Sequence, residues 1–146
     1  MKPPIYLRAA SVLAFIHGVL HTIGGVFGDA PPGPQQTAVL AMKSNAFKTM
    51  GVTRTYWDFF LGYGLFISVN FFLQAVLFWQ LASMAKKDAA EVRPIVALFA
   101  IGYLGFAFLA WRYFFAGPMV AELLIAGCLA TAFILARPAH DARQPL

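Results

Sequence analysis

A chain of 146 residues has room for one compact domain. Its composition excludes an ordinary soluble one: 60% of residues are hydrophobic, 15 are Phe and only 12% are charged, against about 25% charged in a water-wetted domain. The net charge of +5 does not indicate nucleic acid, because the basic residues form no continuous patch and accompany no nucleic-acid-binding motif; they stand at the ends of apolar segments, where they meet anionic head groups.

The charges are clumped between long uncharged stretches, which predicts an all-α fold, a four-transmembrane-helix bundle. Spans are expected over about residues 5–27, 56–81, 94–113 and 118–135, each able to cross about 30 Å of hydrocarbon at 1.5 Å per residue. The first run follows Lys2 and Arg8 as a signal peptide would, but it is longer than a usual signal core and contains two histidines, so it is read as a true span. The connection over residues 28–55 opens with Gly28-Asp29-Ala30-Pro31-Pro32-Gly33-Pro34, which is incompatible with helix. Val39, Met42, Ala46 and Met50 then recur at helical spacing, predicting a short amphipathic helix on the outer membrane surface, either a lid or a passive cover. Pro94 and Pro118 fit the first turns of the third and fourth helices. The second and third connections are short, so helices two, three and four should be antiparallel neighbours. Residues 1–136 are then one transmembrane domain, and 137–146 a polar, frayed cytoplasmic tail. No internal repeat accompanies them.

Orientation follows from Lys and Arg. With the N-terminus inside, the inner segments hold seven (Lys2, Arg8, Lys86, Lys87, Arg93, Arg137, Arg143) and the outer ones four (Lys43, Lys48, Arg54, Arg112). That asymmetry predicts both termini inside, with Tyr56, Trp57, Trp111 and Tyr113 as an outer aromatic belt and Trp79 near the inner interface. The single cysteine, Cys128, cannot form an internal disulfide, a CxxC pair or a multi-cysteine zinc site, and reads as a packing residue.

Ionisable groups inside spans are costly and tend to mark sites. Five stand out: His17, His21, Asp58, Arg112 and Glu122, all expected in the outer half of the bundle. His17 and His21 are four residues apart and share one helix face, on a stripe with Ala10, Ala14, Gly24, Gly25 and Gly28, small residues that admit close helix approach or leave a cavity. Two histidines so spaced can share a divalent transition metal, with Asp58 or Glu122 completing the shell, although no intervening glutamate supplies a base as in a zincin motif. Haem is not expected, since two histidines on the same face cannot reach opposite sides of one haem, and His140 lies in the tail. Acid–base or ligand-binding histidines, and histidines that only bond neighbouring helices, are the other two readings.

Glu122, four residues after Pro118, must pair with Arg112 or a histidine if buried, or hold a proton, which is the raw material of general acid catalysis. Thr55-Tyr56-Trp57-Asp58 has the form of a capping box, setting a structural role for Asp58 against substrate binding. Arg112 either snorkels to water or holds an anionic group. Tyr63, Asn70 and Gln74 share one arc of the second span, bonding neighbouring helices or lining a pocket. Gly62-Tyr63-Gly64 should permit a close helix contact or a slight kink.

The stretches His17-Gly18-Val19-Leu20-His21-Thr22-Ile23-Gly24-Gly25 and Arg54-Thr55-Tyr56-Trp57-Asp58-Phe59-Phe60-Leu61-Gly62-Tyr63-Gly64 resemble a family of small, functionally uncharacterised four-helix bacterial inner-membrane proteins. The resemblance covers most of the chain. A fainter similarity, to DoxX-like four-helix proteins, rests on Leu7-Arg8 followed by Gly-x-x-His in the first helix. These resemblances imply a bacterial inner membrane and a four-helix fold, and bring no activity with them.

The expected function is a small membrane-embedded enzyme acting by acid–base or metal-assisted chemistry on a lipid-soluble substrate such as an isoprenoid, quinone or sterol-like molecule, with isomerisation as one form. His17, His21 and Glu122 would be catalytic, His17 and His21 being also the metal ligands; Asp58, Arg112, Tyr63 and Asn70 would bind substrate. The alternative is a non-catalytic accessory or scaffold subunit of a membrane complex, or an oligomeric carrier. Partners are accordingly membrane lipid, the small molecule, and further copies of the chain or a larger membrane complex.

Overall fold

The structure, a computed structural model, describes residues 2–136; the expected frayed tail, with His140, lies outside the described residues. Helix α1 (Pro3–Leu20) passes into a π-helical segment (His21–Val26), followed by α2 (Pro34–Ser44), strands β1 (Ala46–Thr49) and β2 (Val52–Thr55), and helices α3 (Tyr56–Met84), α4 (Ala89–Tyr113) and α5 (Ala116–Leu135). Four helical segments among the described residues, Pro3–Val26, Tyr56–Met84, Ala89–Tyr113 and Ala116–Leu135, are long and apolar enough to cross a membrane. Their boundaries fall close to the expected spans.

Contacts divide the chain into two compact units: one holds the chain up to His17 and from Phe71 onward, the other Gly18–Asn70. The first is the helical core. Each helix contributes a stripe at three- and four-residue spacing: Leu7, Ala10 and Ala14 from α1; Ala75, Phe78 and Leu81 from α3; Val92, Val96, Ala100 and Tyr103 from α4; Ile125, Ala126, Leu129 and Ala132 from α5. The alanines let backbones approach, while Phe78 fills the space between, edge-on to Phe99 at 5.3 Å between centroids. Away from these stripes the same helices present Leu98, Ile101, Phe108 and Leu124, all more than half exposed. Only 22–33% of each apolar window is buried within the protein, so most of the apolar surface needs a non-aqueous surrounding.

The second unit holds the end of the first helical segment against the first half of α3. A Cβ on Gly64 would sit 2.9 Å from Val26 Cγ2, so this glycine permits the expected close contact. Gly62 has open space where its Cβ would be and makes no such contact.

The structure differs from the sequence expectation in two places. The helical spacing of Val39, Met42, Ala46 and Met50 does not continue to Met50: α2 ends at Ser44, and the residues beyond form an antiparallel hairpin with Phe47 opposite Arg54 and Thr49 opposite Val52. The reason is local. Met50 and Gly51 both adopt positive φ, 46° and 83°, as a two-residue type I′ turn requires, and the flanking Val, Thr and Phe favour extended backbone. Phe47 then packs on Tyr56 and Phe59 at the start of α3. Pro94 likewise lies inside α4 rather than in its first turn, because Asp88 begins the helix earlier as its N-cap, with Oδ1 accepting from the Ala90 amide at 2.9 Å. Pro118 does fall in the first turn of α5.

Candidate functional site

The helical core contains a small set of buried polar side chains. Glu122 shares the interior stripe of α5 with Ile125, Ala126 and Leu129, and is 4% exposed. His17 ends the Leu7–Ala10–Ala14 stripe of α1. Its Nδ1 stands 3.4 Å from Glu122 Oε1, and its ring stacks on Phe71 of α3 with centroids 4.3 Å apart. Glu122 therefore pairs with a histidine, and Arg112 is found elsewhere, over the ring of its neighbour Tyr113 on an exposed stretch.

Two further groups belong to this core. Tyr103, fully buried on α4, packs against Phe78 and Phe106 and lies within electrostatic reach of Glu122. Gln74, buried on α3, stands one turn from Phe71, which touches His17, and one turn from Phe78, which touches Tyr103. Among the described residues, Glu122 Oε2, Gln74 Oε1 and the Tyr103 hydroxyl are buried without a hydrogen-bond partner in the chain. An unsatisfied buried polar atom costs about 1–3 kcal/mol, so these three atoms, on α3, α4 and α5, carry a cost that bonding among the described residues does not offset. Ser11, by contrast, is satisfied: its hydroxyl donates to Ala75 O at 2.6 Å.

The other site candidates, His21, Asp58, Tyr63 and Asn70, fall in the Gly18–Asn70 unit. His21 Nε2 bonds the Gly64 carbonyl at 3.1 Å; Thr22 Oγ1 lies 2.6 Å from Gly18 O and 2.8 Å from Ser68 Oγ, its one proton serving one of them at a time, and the Ser68 hydroxyl donates to Gly64 O. These bonds surround the π-helical segment, whose wider turn is closed by Phe27 N donating to Thr22 O at 3.1 Å. Gly28 is needed there, since a Cβ would meet the Gly24 carbonyl. Asp58 makes the capping box: Oδ2 accepts from Thr55 N and Thr55 Oγ1 at 2.7 and 3.0 Å, and Thr55 Oγ1 accepts from Asp58 N. Tyr63 and Asn70 are exposed. Among the described residues no three His, Cys, Asp or Glu side chains gather as a metal-binding group.

A groove of about 510 Å³ in this unit runs between the hairpin and the first turns of α3, lined in part by Arg54, Asp58, Phe59, Gly62, Tyr63 and Phe66. Sequence reasoning passed over Tyr103, Ser11, Thr22 and Ser68. Tyr103 had a legible signal, because Val96, Ala100, Tyr103, Ala107 and Ala110 repeat at helical spacing and mark an inward stripe.

No protein-family model, curated protein or solved structure matches this chain.

Proposed function

We propose that the protein is a multi-pass enzyme of the bacterial inner membrane, both termini cytoplasmic, that moves protons on a lipid-soluble substrate. One observation carries this reading: the buried His17–Glu122 pair, with Glu122 Oε2 left without a hydrogen-bond partner among the described residues. In a low-dielectric interior such a pair holds a single proton between two groups of opposite tendency. Glu122, as carboxylate, would take a proton from an activated carbon or hydroxyl of the substrate. His17, as imidazolium, would return one at a second position, so that bonds shift within the substrate and no atom is gained or lost. Tyr103 and Gln74 would supply the polar contacts that orient the reacting part. Acid–base chemistry is the form this pair supports, because His17 and Glu122 together provide a proton donor and a proton acceptor. His21, bonded to Gly64 O, supports the backbone of its own unit.

The orientation rests on the Lys and Arg asymmetry, and the bacterial location on the resemblance of the His17–Gly25 and Arg54–Gly64 stretches.

Purified protein incubated in D2O with an apolar lipid extract should place deuterium on one lipid species, read by mass spectrometry. Glu122→Gln should abolish the incorporation while the variant still elutes as a folded species. If wild-type protein labels no lipid in extracts covering isoprenoids, quinones and sterol-like molecules, or if Glu122→Gln labels equally well, the proposal fails.

A further inference from the structure

We infer that the groove between the β1–β2 hairpin and α3 is a binding site for a zwitterionic phospholipid bearing a primary ammonium, phosphatidylethanolamine in chemical class. It is built entirely within the Gly18–Asn70 unit and is independent of the His17–Glu122 pair; it shares with the proposed function only the reading of α3 as a membrane span.

The groove has a charged end and an apolar end. Asp58, Gly62 and Phe66 follow one another at four-residue spacing along one stripe of α3, with Phe59 and Tyr63 beside them. From Asp58 to Phe66 the stripe runs roughly 12 Å. Its upper end carries opposite charges close enough to interact, Arg54 from β2 and Asp58 from the first turn of α3, both exposed. The capping box uses Asp58 Oδ2 for Thr55, and no hydrogen bond among the described residues uses Oδ1. Arg54 spends one N–H of its fork on Thr53 O, which leaves further donors for an anion. Below that end the stripe continues through the bare backbone of Gly62 to Phe66, with the Phe59 and Tyr63 rings alongside. That glycine makes the floor: a Cβ there would meet nothing within 4 Å, so no packing demand explains the missing side chain.

The charge pattern selects the occupant. A phosphate suits the Arg54 guanidinium, and an ammonium with N–H donors suits the Asp58 carboxylate. Phosphatidylglycerol would bring a phosphate for Arg54 but no ammonium to meet the Asp58 carboxylate, and phosphatidylcholine has no N–H to donate. At about 510 Å³ the groove lies within the range of ligand pockets, roughly 300–1,000 Å³, and takes a head group with the upper part of one acyl chain along Phe59 and Phe66.

The test is native mass spectrometry of the detergent-purified full chain, offered equal amounts of phosphatidylethanolamine, phosphatidylglycerol and phosphatidylcholine. The wild type should retain phosphatidylethanolamine on the order of tenfold better than either competitor, a difference of about 1.4 kcal/mol. Gly62→Leu, whose Cβ would meet nothing within 4 Å, puts a side chain into the floor and should lose that adduct. Asp58→Asn keeps an acceptor for the Thr55 cap while removing the charge, and should erase the discrimination against phosphatidylglycerol. Equal retention of all three lipids by the wild type, a preference for phosphatidylglycerol, or an adduct unchanged in Gly62→Leu overturns the inference. Resistance of the protein to alkaline extraction from membranes, measured alongside, separates loss of this site from failure of the membrane reading, and neither result bears on deuterium transfer at Glu122.

Discussion

At the scale of residues, the helical core sets polarity against burial in one place. Breaking a buried ion pair by removing one partner costs about 3–5 kcal/mol, whereas replacing both by apolar groups is close to neutral. His17→Ala should therefore lower unfolding stability in detergent by about 3 kcal/mol, and His17→Phe with Glu122→Leu should recover most of the loss; an additive double variant would show that the two side chains do not interact. Tyr103 behaves differently. Its hydroxyl is buried without a hydrogen-bond partner among the described residues, so Tyr103→Phe should leave stability unchanged or raise it by up to about 1 kcal/mol, while reducing deuterium transfer to the lipid. A clear loss of stability would instead assign the hydroxyl a structural bond. The pair was half legible in sequence: Glu122, if buried, needed Arg112 or a histidine beside it, or a proton of its own. The choice of His17 over Arg112 was not legible, because it depends on which face of α1 meets α5.

At the scale of elements, the two glycines that look equivalent in Gly62-Tyr63-Gly64 do opposite things. Gly64 faces Val26 at a distance no side chain tolerates, and Gly62 faces open space. Gly64→Ala should destabilise by about 1–3 kcal/mol through overpacking, with Val26→Ala relieving most of it, whereas Gly62→Ala should be neutral or stabilise by up to about 1 kcal/mol through helix propensity. Thermal unfolding of the three variants checks this; equal costs at the two glycines would contradict the packing described. The hairpin shows why the loop was misread. Four apolar residues happened to fall at helical spacing, but a Met-Gly pair able to take positive φ, set between Thr- and Val-bearing segments, is a stronger local instruction than a weak period over residues that bury little.

At the scale of the whole molecule, four long apolar helices with most of their surface unburied suit a lipid surrounding, and the Lys and Arg asymmetry of their connections predicts an orientation that can be tested. With Cys128 replaced by Ala, Lys48→Cys on the outer hairpin should react with a membrane-impermeant maleimide in intact cells. Lys87→Cys, in the short α3–α4 connection, should react only after permeabilisation. The reverse pattern would invert the topology.

The sequence by itself determined the number of apolar helices, their approximate limits and their all-α character, because hydropathy over twenty residues is a property of composition and needs no partner. It also determined the Thr55–Asp58 cap, whose donors and acceptors lie within one turn. Tertiary structure alone decided that Glu122 meets His17, that Gln74 lies buried in the same core, and that Asp58 and Tyr63 line an open groove. Each of those facts turns on which stripe of a nearly all-apolar helix faces inward. On α3, where Phe and Leu occupy every face, hydrophobic periodicity carries almost no information about that rotation, and only the fit of one helix against another fixes it.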